Sequence, residues 1–242
     1  MSLDKYSNIL GQDTVKKIYE DGLSPAVQEG GKALADVVKG LRLFTAPFQL
    51  MGAYQDRLVK YLDKVREGVA EEKQIQAPAF ISGPIIEKLK YLEEENYLTD
   101  LYLNLLSRAI NKERINEAHP AFLHIIDQLS PDEAHILYLT KENDLELHKT
   151  SSLDKDRKFV HDLRFISLPG ALTVQLNFLQ NSLMYIEHLQ SLNLVSITME
   201  LKEEPVKRKE IYSVGYSEFG KLFINACIPE KGFDFDTSNK RA

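Results

Sequence analysis

Only one cysteine, Cys227, occurs in the 242 residues, which excludes an intramolecular disulfide and fits a reducing, cytoplasmic setting. Motifs that carry chemistry are equally scarce. There is no H-E-x-x-H and no Cys/His cluster, and His119 and His124 are five apart, a poor spacing for one helical face, so no metal site is expected. The glycines at 30, 31 and 40 precede no Gly-Lys-Ser/Thr, which excludes a phosphate loop. Ser217 sits in YSEFG, which lacks the nucleophile-elbow pattern. The first 22 residues, MSLDKYSNILGQDTVKKIYEDG, hold no apolar core of signal-peptide length, so no targeting segment is expected. A long uncharged apolar run is missing too. The nearest candidate, 33–53, contains Asp36, Lys39 and Arg42, and three charges in one bilayer-length window make a spanning helix costly. A net charge of −6 and a pI near 5.6 argue against a generic nucleic-acid coat.

What is present is a globular composition: 43% hydrophobic and 27% charged residues speak against wholesale disorder. The length suits one elongated domain or two small ones. Apolar side chains recur at helical intervals through much of the chain. A short helix is expected over 12–20, with Val15, Ile18 and Tyr19 inward. Ser24 and Pro25 then supply the cap and first position of a long helix. Its apolar stripe is Val27, Leu34, Val37, Val38, Leu41 and Phe44, and Gly30, Gly31, Ala33, Ala35 and Gly40 allow close approach. Pro47 kinks it, and a continuation over 48–69 carries Leu58, Tyr61, Leu62, Val65 and Val69. The stripe packs against its own chain, or it docks on a protein partner or a membrane surface.

Residues 71–83 read as an extended linker. Pro84 restarts a helix through about residue 94 on Ile85, Ile86, Leu89 and Leu92. A further helix over 98–111 uses Leu101, Leu105 and Ile110. The stretch 117–139 reads as a helical hairpin. Its first helix, 120–129, places Phe122, Leu123, Ile125, Ile126 and Leu129 on one side. The second begins at Ser130-Pro131-Asp132-Glu133, where Ser130 caps, Pro131 takes the first helical position and Glu133 reaches back to the cap. Asp132 and Glu133 also suit the positive end of the helix dipole, which makes capping a better account of them than an acid pair. Glu93, Glu94 and Glu95 read as a solvated acidic face.

The segment 141–158, charged and rich in serine, reads as a loop or partly ordered insertion, and 159–168 has an ambiguous period. A turn at Pro169-Gly170 precedes an expected helix over 174–192 with Phe178, Leu179, Leu183, Ile186 and Leu189 inward. Asn193 stops it. A strand over 194–201, a charged turn, a returning strand and a closing helix follow, the order of a winged-helix module. Lys202, Lys207, Arg208 and Lys209 cluster at its tip, where a DNA-binding wing would meet phosphates. Against that, the preceding helix offers no Arg or Lys, and Glu203 and Glu204 dilute the charge. The expected fold class is mainly α: N-terminal long helices and helical hairpins, with a C-terminal winged-helix-like α+β module containing a small β-hairpin. The expected division is 1–77 and 78–242.

Several segments in order carry a resemblance. They are the Gly/Ala-rich N-terminal helix, the P-x-x-I-x-G-P segment at 78–84, the acidic run at 93–95, Leu-Leu-Ser-x-Ala at 105–109, and His-Pro-x-Phe…Leu-Ser-x-Asp-Glu-Ala at 119–134. Over about 25–225 the chain resembles the abortive-infection alpha (Abi-alpha) family of bacterial proteins. The resemblance implies a phage-defence component acting by abortive infection. With no reactive motif in view, the expectation is a non-enzymatic protein without catalytic residues, cofactor or metal, cytoplasmic or peripheral at the inner membrane face. It would work with a protein partner or as a homo-oligomer, with a membrane surface as a further partner and no small-molecule substrate. The alternative is a winged-helix nucleic-acid-binding protein using Lys202, Lys207, Arg208 and Lys209.

Overall fold

The computed structural model describes residues 12–13, 54, 56–142, 144–154, 156, 158–168, 172–174, 176–204, 207–230 and 233. The chain divides into two compact units, 1–123 and 124–242. The long N-terminal helix and its apolar stripe lie outside the described residues.

In the first unit, helix α1 (56–67) buries Leu58, Tyr61, Leu62 and Val65, the i, i+3, i+4, i+7 row that its periodicity demands. Helix α2 runs over Ala79–Leu89 and buries Ile81, Ile85, Ile86 and Leu89. It starts five residues before Pro84, inside the stretch expected to be a linker. Pro78 flanks it, and the Pro78 carbonyl accepts the N–H groups of Ile81 and Ser82. Pro84 removes one interior N–H, yet the buried isoleucine row carries the helix through it. Helix α3 (Tyr97–Ala109) opens at Asn96, whose side chain accepts the Leu98 N–H, and buries Leu101, Tyr102, Leu105 and Leu106 against α2. Lys64 Nζ lies 2.9 Å from Asp100 Oδ1, whose side chain is only 6% exposed, and ties α1 to α3.

The short helix α4 (Ala121–Ile126) leads to α5 (Pro131–Glu142). The rest of the second unit is built on a sheet. Strands β1 (Asp144–Leu153), β2 (Phe159–Leu168), β3 (Leu172–Thr173), β4 (Val195–Glu204) and β5 (Lys207–Tyr216) form one five-stranded sheet in the order β3-β2-β1-β5-β4, with every pair antiparallel. Helices α6 (Ser182–Ser191) and α7 (Glu218–Cys227) complete the unit. Side chains alternate along a strand, and the register places Leu145, Leu147, Phe165 and Val214 on one face, all buried. Helix α5 packs on β1 and β5, and α7 on β5.

This is an α+β fold, not the mainly α protein with one small hairpin expected from sequence, and a five-stranded sheet stands where a winged-helix module was expected. The largest correction is 141–158. Most of that supposed loop is β1, the central strand, paired with both β2 and β5. Only its first half carries buried leucines. Its second half is held by cross-strand polar pairs, Lys149 with Glu210 and Ser151 with His161, so its hydropathy looks like that of a loop.

The expected helix over 174–192 is shorter as well. A 3-10 turn, Leu179–Asn181, precedes α6, and Phe178 is 56% exposed instead of inward. Asn193 does stop the helix. It takes φ of 57°, and the N–H groups of Asn193 and Leu194 return to the carbonyls of Gln190 and Leu189. That is a Schellman closure with asparagine in the left-handed position. The first turn of α7 then docks on this junction: Ser217 caps the helix by accepting the Gly220 N–H, and its hydroxyl donates to the Asn193 carbonyl.

Candidate functional site

The first turn of α5 gathers more buried charge than any local reading of its sequence requires. Ser130 and Glu133 form the expected capping box: Glu133 Oε2 accepts the Ser130 N–H at 2.7 Å and its hydroxyl at 2.8 Å, and the Glu133 N–H donates to Ser130 Oγ at 3.3 Å. The other oxygen, Oε1, lies 2.5 Å from His188 Nδ1 on α6. Asp132 is 3% exposed and turns away from its own helix. Its Oδ1 accepts the backbone and side-chain N–H groups of Asn177, each at 2.9 Å. Its Oδ2 accepts the Phe178 N–H at 3.0 Å and the Tyr185 hydroxyl at 3.1 Å. Burial, the largest effect, pushes the Tyr185 phenol up, and its bond to Asp132 raises it further. Asp132 thus holds the turn leading into α6, while Glu133 holds α6 itself.

A second polar cluster lies on the sheet. Glu210, 8% exposed, accepts the Tyr212 hydroxyl at 2.6 Å, with Lys149 Nζ at 3.3 Å and Arg208 Nε at 3.1 Å. The Tyr212 hydroxyl bond, more than the two cations, holds the Glu210 carboxyl below the usual carboxylate range. Burial first, and then the same bond, push the Tyr212 phenol up to about 12. These four side chains share the sheet face that carries the buried leucines: Tyr212 lies opposite Leu147, Glu210 opposite Lys149, and Arg208 farther along opposite Ser151.

The four basic residues singled out at the hairpin do not act as one patch. Lys202, Lys207 and Lys209 alternate onto one face of β4 and β5, with Lys202 opposite Lys209. Arg208 points to the other face and is bound to Glu210. Lys202 pairs with Glu200 at 3.3 Å. The apolar stripe Val27, Leu34, Val37, Val38, Leu41 and Phe44 lies outside the described residues. His119 acts at a helix start, where its Nδ1 accepts the Ala121 N–H at 3.1 Å, and Ser217 is a helix cap.

Sequence reasoning missed the Asp132 clamp and the Glu210 cluster. The partners of Asp132 lie 45 to 53 residues away, and no local signal connects them. Alternation on β1 and β5 would have put Lys149, Glu210 and Tyr212 on one face had both segments been read as paired strands. Among the described residues, no group of three or more His, Cys, Asp or Glu is placed to hold a metal ion. Among the same residues, no helix is long and apolar enough to cross a membrane.

A family model described as "Abortive infection alpha" matches residues 53–227, from just before α1 to the last residue of α7. No curated protein matches the chain, and neither does any solved structure.

Proposed function

The chain belongs to the abortive infection alpha family, and from that premise we propose that it is a phage-defence component that acts without catalysis, through protein or membrane-surface contacts. The match over residues 53–227 carries the defence role. The non-enzymatic part is supported by what the buried carboxylates are doing: Asp132, Glu133 and Glu210 each receive two or more donors from their own unit. A carboxylate saturated in this way stabilises structure and has little freedom to take up a substrate proton. Docking on a partner, or on the inner membrane face, falls to the N-terminal stripe Val27 to Phe44. Plating a broad phage panel on cells that express the chain tests the role. Plaque counts should fall for at least one phage relative to a vector control, and unchanged counts across the panel overturn it. Co-sedimentation with anionic liposomes separates membrane docking from docking on protein.

A second reading, contact with nucleic-acid phosphates, has one observation in its favour: Lys202, Lys207 and Lys209 share a face. Glu200 on the same face and the Arg208–Glu210 pair weigh against it. Retention on DNA at low salt, lost when the three lysines are neutralised, supports this reading. Absence of binding at low salt ends it, because phosphate contacts are strongest there.

A further inference from the structure

Strand β4 is a ten-residue edge of the sheet, with β5 on one side and no strand on the other among the described residues. Such an edge presents unpaired N–H and C=O groups and is a template for another strand. Its pairing with β5 runs residue for residue from Val195 to Glu204 without a bulge, and no proline interrupts it. Both faces of the strand are open here: Met199 is 55% and Leu201 40% exposed on the face that carries Glu210 and Tyr212, and the Glu200 and Lys202 side chains are 63% and 57% exposed on the other.

The sequence of this edge is complementary to itself. Two copies of β4 paired antiparallel about an axis perpendicular to the sheet keep their faces, so directly opposed residues lie on the same face. Centring that axis beside residue 200 sets Glu200 against Glu200, and centring it beside 202 sets Lys202 against Lys202. Both are repulsive. Centring it beside 199 leaves Glu200 opposite Thr198 and Lys202 opposite Ser196, with no ion pair. Centring it beside 201 places Glu200 opposite Lys202 of the second copy, twice by symmetry, and Leu201 beside Leu201 of the second copy. This register overlaps 198–204 of the two strands. Within the single chain Lys202 stands opposite Lys209 across β4 and β5, with Glu200 beside it; an incoming carboxylate next to Lys202 adds a second offset to that like-charge pairing.

We propose that β4 is a self-association edge, joining two copies of this chain into a two-fold dimer with one continuous ten-stranded sheet, in the register that opposes Glu200 and Lys202. The partner is a second copy of the chain, selected by the Glu-Leu-Lys order at 200–202. The inference does not depend on the defence reading, since the mass measurement below and the plaque assay can fail separately.

Sedimentation equilibrium of the full chain at rising micromolar concentration tests it. The wild-type mass should climb from 27.7 kDa toward twice that value. E200K and K202E each convert both ion pairs to repulsions and should weaken association about tenfold or more. Mixed in equal amounts, the two variants again oppose unlike charges at both positions and should recover the dimer, as should the E200K/K202E double variant. Hydrogen exchange of β4 amides in the wild type should slow as concentration rises, a readout that needs no variant. A wild type that stays monomeric overturns the proposal. So does a dimer that persists in both single variants, or a mixture that fails to associate.

Discussion

His188 Nδ1 lies 2.5 Å from Glu133 Oε1, so one carboxylate closes the first turn of α5 and pins α6 to it. Replacing Glu133 by alanine removes the acceptor of the Ser130 N–H and hydroxyl together with the His188 contact. A cap of this kind contributes about 1–2 kcal/mol, and Glu133→Ala should lower the midpoint of thermal unfolding by several degrees. His188→Ala leaves the capping box whole and should cost less than half as much. Differential scanning calorimetry of the two variants checks the ranking; equal losses would show that the cap contributes nothing.

Asp132 has a different task, and its removal should show in a different place. Asp132→Ala leaves the amides of Asn177 and Phe178 and the buried Tyr185 hydroxyl without their acceptor. The hydroxyl, stranded away from water, costs about 1–3 kcal/mol, while the amides of the two exposed residues turn to solvent. The expected local sign is faster hydrogen exchange at Asn177 and Phe178, with amides in the first unit unchanged. Asp132→Asn should fall between alanine and wild type, because it keeps one acceptor oxygen. Exchange rates at those two positions that do not move would refute the clamp.

Two glycines predict opposite outcomes. A Cβ on Gly220 would sit 1.8 Å from the Leu194 carbonyl oxygen, whereas one on Gly83 would meet nothing within 4 Å. Gly220→Ala must push α7 off the Asn193–Leu194 junction and should destabilise by about 2 kcal/mol or more, in the range of overpacked cores. Gly83→Ala lies inside α2 and should stabilise by about 0.5–1 kcal/mol through helix propensity. Urea midpoints that move in the same direction for both would contradict the packing described here.

The Glu210 cluster makes stability depend on pH at both ends. The carboxyl is held below its ordinary range in the folded chain. Its contribution is therefore present above the unfolded-state value and is lost as pH falls through the folded one. Tyr212 is raised to about 12, so its contribution is present below the ordinary phenol value of 10 and is lost as pH rises through 12. Glu210→Gln removes the negative charge beside the phenol. It should bring the Tyr212 ionisation down toward the ordinary value in a spectrophotometric titration and flatten the acid limb of the stability curve. A Tyr212 ionisation that does not shift in this variant would rule out the coupling.

The legible parts of the fold were those specified within a turn or two of chain. Ser130 through Glu133 announced a helix start by cap, proline and return carboxylate, and all three act as read. Asn193 announced a stop and delivers one in the left-handed conformation. The rows at Leu58–Val65 and Leu101–Ile110 announced buried helix faces and are buried. Strand β1 was illegible because its identity depends on neighbours. Leu145 and Leu147 give only two buried alternations, the terminal Leu153 is exposed, and Lys149 and Ser151, next on the same face, find their partners, Glu210 and His161, on other strands. For a related reason the arrangement of the basic residues was not legible: period-2 alternation puts Lys202, Lys207 and Lys209 on one face and Arg208 on the other.

Local order determined where this chain starts and ends its helices, because caps, prolines and apolar rows act over distances of one or two turns. It also carried the signature of the abortive infection alpha family, which is a matter of residues in sequence. Tertiary structure decided that 144–153 is the centre of a sheet, that Asp132 clamps a turn 45 residues away, and that among the described residues β4 ends the sheet as an edge. Each of these rests on hydrogen bonds between segments far apart in the chain, and only folding brings those donors and acceptors within reach of one another.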